Sequence, residues 1–104
     1  MANFTMSAVM KSKPEYRDKI VEIMKSPKGV AVGKQAQGNL FFDISLDSED
    51  PNIFRAYENW NTKEEWEAFM QLRDADGGLV AVHGIDFAWL SEPPVFYPGT
   101  SLAG

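Results

Sequence analysis

The chain has 104 residues, which is the length of one domain, and its 44% hydrophobic and 24% charged residues are typical of a soluble globular protein. A net charge of −5 argues against nucleic acid and anionic membranes as partners, because phosphate binding needs clustered basic residues. The absence of cysteine excludes disulfides, thiolate zinc sites and a thiol nucleophile. The sequence shows neither a signal-peptide pattern nor an apolar run of membrane-spanning length, so we expect a cytoplasmic protein.

A strand and an amphipathic helix are predicted at the start of the chain. Apolar and polar residues alternate over residues 3–11, which is typical of a half-buried strand, with Ser7 on the polar face. Ser12 and Glu15 have the spacing of a capping box, so a helix is predicted to begin here. Its buried face is marked by four apolar residues at helical spacing, Tyr16, Ile20, Ile23 and Met24.

A hairpin is predicted in the middle of the chain. A second, kinked helical segment over residues 30–37 ends at Gly38 and leads into it. Residues 47–52 then form a polar turn between two strands, of which the second covers residues 53–60. The first of the two strands is indicated by four alternating apolar residues, Leu40, Phe42, Ile44 and Leu46.

Glu58 is the most informative polar residue of the sequence. Strand alternation places it on the same face as Phe54, Ala56 and Trp60. A carboxylate among apolar side chains must be paired, protonated or located at the mouth of a pocket. Glu58 is therefore either a functional residue or a residue bonded to an arginine or lysine.

The second helix is predicted to follow the hairpin directly. Thr62 and Glu65 form another capping box, which predicts a helix starting at this point. Its buried face is marked by Trp66, Phe69 and Met70.

The C-terminal third is less regular. Residues 79–92 fit a helix or a strand, and we favour a helix. Residues 95–97 form a short last strand between prolines. We expect one domain over residues 1–98 and a flexible tail over residues 99–104.

The order β-α-β-β-α-(α)-β predicts an α+β fold of the ferredoxin-like, split β-α-β type. Helices cover one face of such an antiparallel sheet and leave the other face open. Because the open face would carry Phe41, Ile53 and Tyr57, we expect a second subunit to pack against it, sheet to sheet.

Three segments of the chain resemble the antibiotic biosynthesis monooxygenase (ABM) family. They are DSEDPNIFRAYENWNTKEEWEAFM, LRDADGGL and LSEPPVFYPG. The resemblance implies a homodimeric α+β barrel in which two ferredoxin-like sheets face each other, with a pocket between sheet and helices in each subunit. It also implies oxidation of aromatic polyketides or quinols by molecular oxygen without metal or flavin, so no cofactor is expected.

The resemblance can be carried over residue by residue. Trp60 matches the Trp that ends the family's third strand, and Glu58 matches the Glu two residues before it. Polyketide-oxidising members have an Asn at the position of Ala56 and a Tyr at the position of Trp66. Members that degrade haem have an Asn at the position best matched by Ser7 and a Trp at that of Phe69, where many other members carry a His.

The sequence is compatible with two main functions. The first is a cofactor-independent monooxygenase acting on a small aromatic molecule, with Glu58 and His83 handling the proton. Its substrate would be bound by five further residues, Trp60, Trp66, Phe69, Ala56 and Ser7. The second is a non-catalytic dimeric barrel that binds a small hydrophobic ligand.

Other roles are weaker. His83, the single histidine, could also be an axial haem ligand, or a half-buried helix residue bonded to a carbonyl or water. Haem degradation is a third and more distant function. The sequence has no constellation of metal ligands and no phosphate-binding loop, so we expect no metal and no nucleotide.

Overall fold

Four antiparallel strands form a single sheet in the computed structural model, which describes residues 3–27, 29–75 and 86–103. The strand order across the sheet is β2-β3-β1-β4. The strands are β1 (Phe4–Lys11), β2 (Asn39–Leu46), β3 (Ile53–Trp60) and β4 (Val95–Thr100). The pairing confirms the predicted hairpin of β2 with β3, and it places β1 between two strands that come later in the sequence.

Helices pack on one face of this sheet, as predicted. They are α1 (Arg17–Lys25), α2 (Val30–Lys34) and α3 (Lys63–Ala75), with short 3-10 turns at Pro14–Tyr16 and Phe87–Trp89. The α+β class and the split β-α-β order are therefore confirmed. None of the described helices is long and apolar enough to cross a membrane.

The core under α1 contains the residues that helical periodicity predicted. Ile20 and Met24 are buried, and they form one cluster with Phe54 of β3 and Leu90. Tyr16 packs against this cluster, where its ring stacks on Trp89 with centroids 5.6 Å apart. Burying one such large side chain contributes about 1.5–3 kcal/mol, so this cluster fixes α1 to the sheet.

The two predicted capping boxes have different outcomes. Thr62 caps α3 as predicted, because its Oγ1 accepts the backbone N–H of Glu65 at 3.1 Å and its hydroxyl donates to the Glu65 carboxylate at 3.0 Å. The prediction for Ser12 is wrong. The turn at Pro14–Tyr16 has no side-chain cap, since the buried Ser12 hydroxyl donates instead to the carbonyl of Asn52 at 3.4 Å.

Leu40 does not belong to the buried face of β2, which corrects the sequence prediction. The register between β2 and β3 shifts between Asn39 and Phe41, and Leu40 is 56% exposed as a result. Such a bulge leaves one residue without a partner across the ladder. Beyond the bulge the alternation is regular, so Phe42 is buried between the sheet and α2.

The predicted helix over residues 79–92 is found only as the 3-10 turn Phe87–Trp89 in the described part of that range. Leu90 is wrongly predicted to be helical, because it forms an antiparallel bridge with Ser12. Residues 79–85, including His83, lie outside the described residues. The last strand continues to Thr100 and so includes the first two residues of the predicted tail.

Candidate active site

Glu58 and Trp60 form a buried hydrogen-bonded pair at the end of β3. Trp60 is fully buried and Glu58 is only 7% exposed. The indole Nε1–H of Trp60 donates to Oε1 of Glu58 at 2.9 Å. Glu58 is paired across the sheet with Met6 and Phe42, both buried apolar residues. The carboxylate therefore points into the apolar layer between sheet and helices, as alternation predicted.

A small cavity, which we call the inner cavity, opens beside this carboxylate. Its volume is about 60 Å³, and Glu58 is the charged side chain in its described lining. The other described lining residues are Ala8, Met10, Met24, Phe42, Ile44, Phe54, Ala56, Pro94 and Phe96. An apolar space with one convergent polar group is typical of a site for a small hydrophobic molecule.

The carboxylate of Glu58 can accept more than one hydrogen bond. A carboxylate has two oxygens with about four lone-pair positions, and the indole N–H of Trp60 is one of the contacts of this group. Because the site is apolar, a hydrogen bond from a ligand hydroxyl to this group would be stronger than in water. The arrangement is therefore suited to accept a proton from, or orient, a small hydroxylated aromatic molecule.

The aromatic residues predicted to bind substrate lie next to this site, outside its described lining. The rings of Trp60 and Phe69 are 5.4 Å apart, and both residues are buried. Trp66 packs on Phe4 instead, with ring centroids 5.3 Å apart. Trp60 is thus linked to the inner cavity by its hydrogen bond to Glu58, and Phe69 of α3 packs against Trp60.

The remaining predicted residues lie on two different faces of the sheet. Ala56 lines the inner cavity, where its small side chain leaves space beside Glu58. Ser7 lies on the opposite face, paired with Tyr57 of β3 and Tyr97 of β4. The structure therefore brings Ala56, Glu58 and Trp60 together and does not place Ser7 with them.

Several residues of the cavity were predicted as core but not as site residues. Met24 was assigned to the buried face of α1, and Phe42 and Ile44 to the alternating apolar residues of β2. Their periodicity was a sufficient signal for burial. A cavity depends on how α1 and β4 approach the sheet, which local periodicity does not encode.

The second face of the sheet, which we call the open face, has no helix over it in the described part of the chain. It forms a concavity of about 580 Å³. Its exposed large side chains include Phe41, Tyr57, Val95 and Tyr97. On the same face the side-chain oxygen of Asn59 is buried and has no hydrogen-bond partner among the described residues. Such a surface is unusual for a monomer, because large apolar patches mark sites of interaction.

The predicted partner of Glu58 in proton transfer, His83, lies outside the residues that the structure describes. Within residues 3–27, 29–75 and 86–103, no group of three His, Asp or Glu residues is arranged to hold a metal ion.

Comparison with known proteins identifies relatives of this chain. The model of the antibiotic biosynthesis monooxygenase family matches residues 3–76. No curated protein sequence matches the chain significantly.

Solved structures share the fold over nearly the whole chain. A Nitrosomonas europaea protein has a TM-score of 0.80 at 19% identity, covering 96% of this chain and 90% of its own. An antibiotic biosynthesis monooxygenase has a TM-score of 0.78 at 17% identity, covering 95% and 98%. A conserved protein from Methanosarcina mazei Go1 has a TM-score of 0.77 at 14% identity, covering 95% and 92%. At these identities the likeness shows a common fold.

Proposed function

The chain belongs to the antibiotic biosynthesis monooxygenase family, and on this premise we propose that it oxidises a small phenolic, quinol or polyketide-like aromatic molecule with molecular oxygen, without metal or flavin. The main support is the buried carboxylate of Glu58, which Trp60 holds at the wall of the inner cavity. It is the group in the described lining that can take a proton from such a substrate.

The chemistry needs little more than binding, desolvation and one proton acceptor. A phenolic hydroxyl placed against Glu58 would transfer its proton to the carboxylate, leaving an electron-rich phenolate in an apolar space. The phenolate can give an electron to molecular oxygen, and the neutral carboxylic acid can then donate a hydrogen bond to the developing quinone oxygen. Overall, a phenolic C–OH, a ring C–H and O₂ become two quinone C=O groups and water, so the substrate supplies all four electrons that reduce O₂.

We also propose that the chain works as a homodimer, with two open faces packed against each other. The exposed side chains of Phe41, Tyr57, Val95 and Tyr97 would be covered in such a dimer. Covering these side chains favours association, because burial of apolar surface is the main driving force of protein–protein association.

A non-catalytic barrel that binds a hydrophobic molecule is the second candidate function. It is favoured by the sparse polar equipment of the inner cavity, where the described lining offers Glu58 and otherwise apolar side chains and proline. Ala56 also stands where polyketide-oxidising relatives carry an amide, as the sequence resemblance implies. A binding protein of this kind would hold an aromatic ligand without consuming oxygen.

Oxygen uptake with a panel of hydroquinones and anthrones tests the proposal. We expect Glu58→Gln to lower the rate by about 10²–10⁴-fold, the usual contribution of a general base, and His83→Ala to lower it as well. Glu64→Gln is the matched control, because Glu64 is an exposed acid in the first turn of α3. Unchanged rates in both site variants would refute the residue assignment. Binding without oxygen uptake by the wild-type chain would support the second candidate function.

A further inference from the structure

A wide groove lies next to the inner cavity. It runs between α1, α2 and β2 with a volume of about 560 Å³, and we call it the outer groove. Its apolar described lining consists of Val21, Met24, Val30, Ala31, Ile44, Leu46 and Phe54. Three of these residues, Met24, Ile44 and Phe54, also line the inner cavity.

Met24 is the dividing wall between the two spaces. Ile44 and Phe54 belong to β2 and β3, so they form a sheet floor that continues beneath both. Among the described residues, Met24 is the helical side chain that the two linings share. It extends from α1 onto this floor and is 8% exposed.

The inner cavity is too small for an aromatic ring unless one wall moves. An engineered apolar cavity of roughly 150 Å³ binds benzene, whereas the inner cavity has about 60 Å³. All three shared residues belong to the core cluster or pack against it. Ile44 is β-branched and stiff at its Cβ, and Phe54 has a rigid ring. Methionine is unbranched with three rotatable bonds, so its displacement costs least. A small displacement of Met24 would enlarge the inner cavity, and only loss of its side chain would join the cavity to the outer groove.

We propose that Met24 determines the size of the substrate. Its side chain yields to a single-ring phenol or hydroquinone bound at Glu58 and excludes fused two-ring and larger molecules. The inference rests on the proposed function in that it takes the inner cavity as the substrate site. It narrows the substrate class to monocyclic aromatics.

Calorimetric titration with benzene and naphthalene tests the proposal directly. Neither probe has a hydroxyl group for Glu58, so binding reports the shape of the space and not the oxidation reaction. We expect Met24→Ala to bind naphthalene at least about tenfold more tightly than the wild-type chain. Met10→Ala is the matched control, because Met10 lines the inner cavity but not the outer groove.

The results distinguish a failure of this proposal from a failure of the proposed oxidation of aromatic substrates. An unchanged naphthalene affinity in Met24→Ala, or an equal gain in Met10→Ala, would overturn the role of Met24. If Met24→Ala does not fold at the temperature of the titration, Met24→Val is judged by the same two criteria. A gain for naphthalene in a chain that takes up no oxygen with any phenol would reject the oxidation and leave the role of Met24 intact.

Discussion

Glu58 occupies a position that destabilises an isolated carboxylate, because Met6 and Phe42 flank it on the neighbouring strands. The indole of Trp60 compensates part of this cost by donating a hydrogen bond within the same strand. The indole is a neutral donor, so this hydrogen bond stabilises the carboxylate without adding a positive charge. The pair therefore contributes to stability at the wall of the inner cavity.

Replacement of Trp60 by phenylalanine measures what the indole donor contributes. Trp60→Phe keeps an aromatic ring and removes the N–H, so we expect the free energy of unfolding to fall by about 1.5–3 kcal/mol, the range for a hydrogen bond to a charged group. Urea denaturation gives this value. Trp66→Phe is the control, since the indole of Trp66 makes no hydrogen bond to any described residue and packs on Phe4. Equal losses in the two variants would contradict the prediction.

The candidate site could be predicted at some residues and not at others. Alternation alone placed Glu58 among apolar neighbours, and the structure confirms this position. The same alternation puts Ser7 on the opposite face, so a substrate-binding role for Ser7 within the inner cavity was not compatible with the strand pattern. The bond between Trp60 and Glu58 depends on side-chain rotamers, which the sequence does not specify.

At the scale of elements, Asp47 stabilises the turn of the β2–β3 hairpin. Asp47 accepts the backbone N–H groups of Glu49 and Asp50 through one oxygen, at 3.0 and 2.9 Å. Its other oxygen accepts two hydrogen bonds from the guanidinium of Arg55, at 3.2 and 2.9 Å. The backbone N–H of Asp50 and then Arg55 lower the pKa of Asp47 from 3.8 to about 2. The turn is therefore stabilised by the ionised form of Asp47.

The stability of the chain should consequently depend on pH through this hairpin. A group whose pKa is lowered by folding stabilises the protein fully above its unfolded pKa, and the effect is lost as the pH falls through the folded pKa. We expect the wild-type chain to be more stable than Asp47→Asn above pH 3.8 and the difference to shrink towards pH 2.

Urea denaturation at several pH values checks this expectation. Glu22→Gln is the control, because Glu22 is exposed on α1, away from the open face, and makes no hydrogen bond or ion pair with any described residue. A stability difference for Asp47→Asn that stays constant between pH 5 and about pH 2 would contradict the prediction.

Elements whose signals are local were predicted well, and those set by distant contacts were not. Thr62 and Glu65 lie within one helical turn, so the capping box that they form is visible in the sequence. Ser12 carries the same signal, but its hydroxyl donates a hydrogen bond to the backbone carbonyl of Asn52, forty residues away. Leu40 fits an alternating strand, yet the bulge between Asn39 and Phe41 turns it outward. Tertiary contacts overrode the local preference in both failures.

At the scale of the whole molecule, the two faces of the sheet differ in the side chains that they carry. The helical face holds the inner cavity and Glu58, while the open face carries exposed aromatic rings. Phe41 and Tyr57 are already in contact there, with ring centroids 5.9 Å apart. Aromatic side chains of this kind are enriched at protein interfaces.

The proposed dimer is tested by light scattering after size-exclusion chromatography. We expect a homodimer at micromolar concentration and expect Tyr97→Arg to shift it towards monomer, because a charge would be buried between the open faces. Phe87→Arg is the control, since Phe87 is 51% exposed, as Tyr97 is at 56%, but lies outside the sheet. A wild-type monomer at this concentration, or equal dissociation in both variants, would refute packing through the open face.

The two edges of the sheet explain why association should use its face. The edge strand β4 contains Pro98, which has no backbone N–H to offer a further strand. The other edge strand, β2, carries the bulge beside Leu40, and bulges interrupt the regular ladder that an added strand would need. Lateral growth of the sheet into aggregates is thus opposed at both ends. The bulge that turns Leu40 outward therefore also makes this end of β2 a poorer template for an added strand.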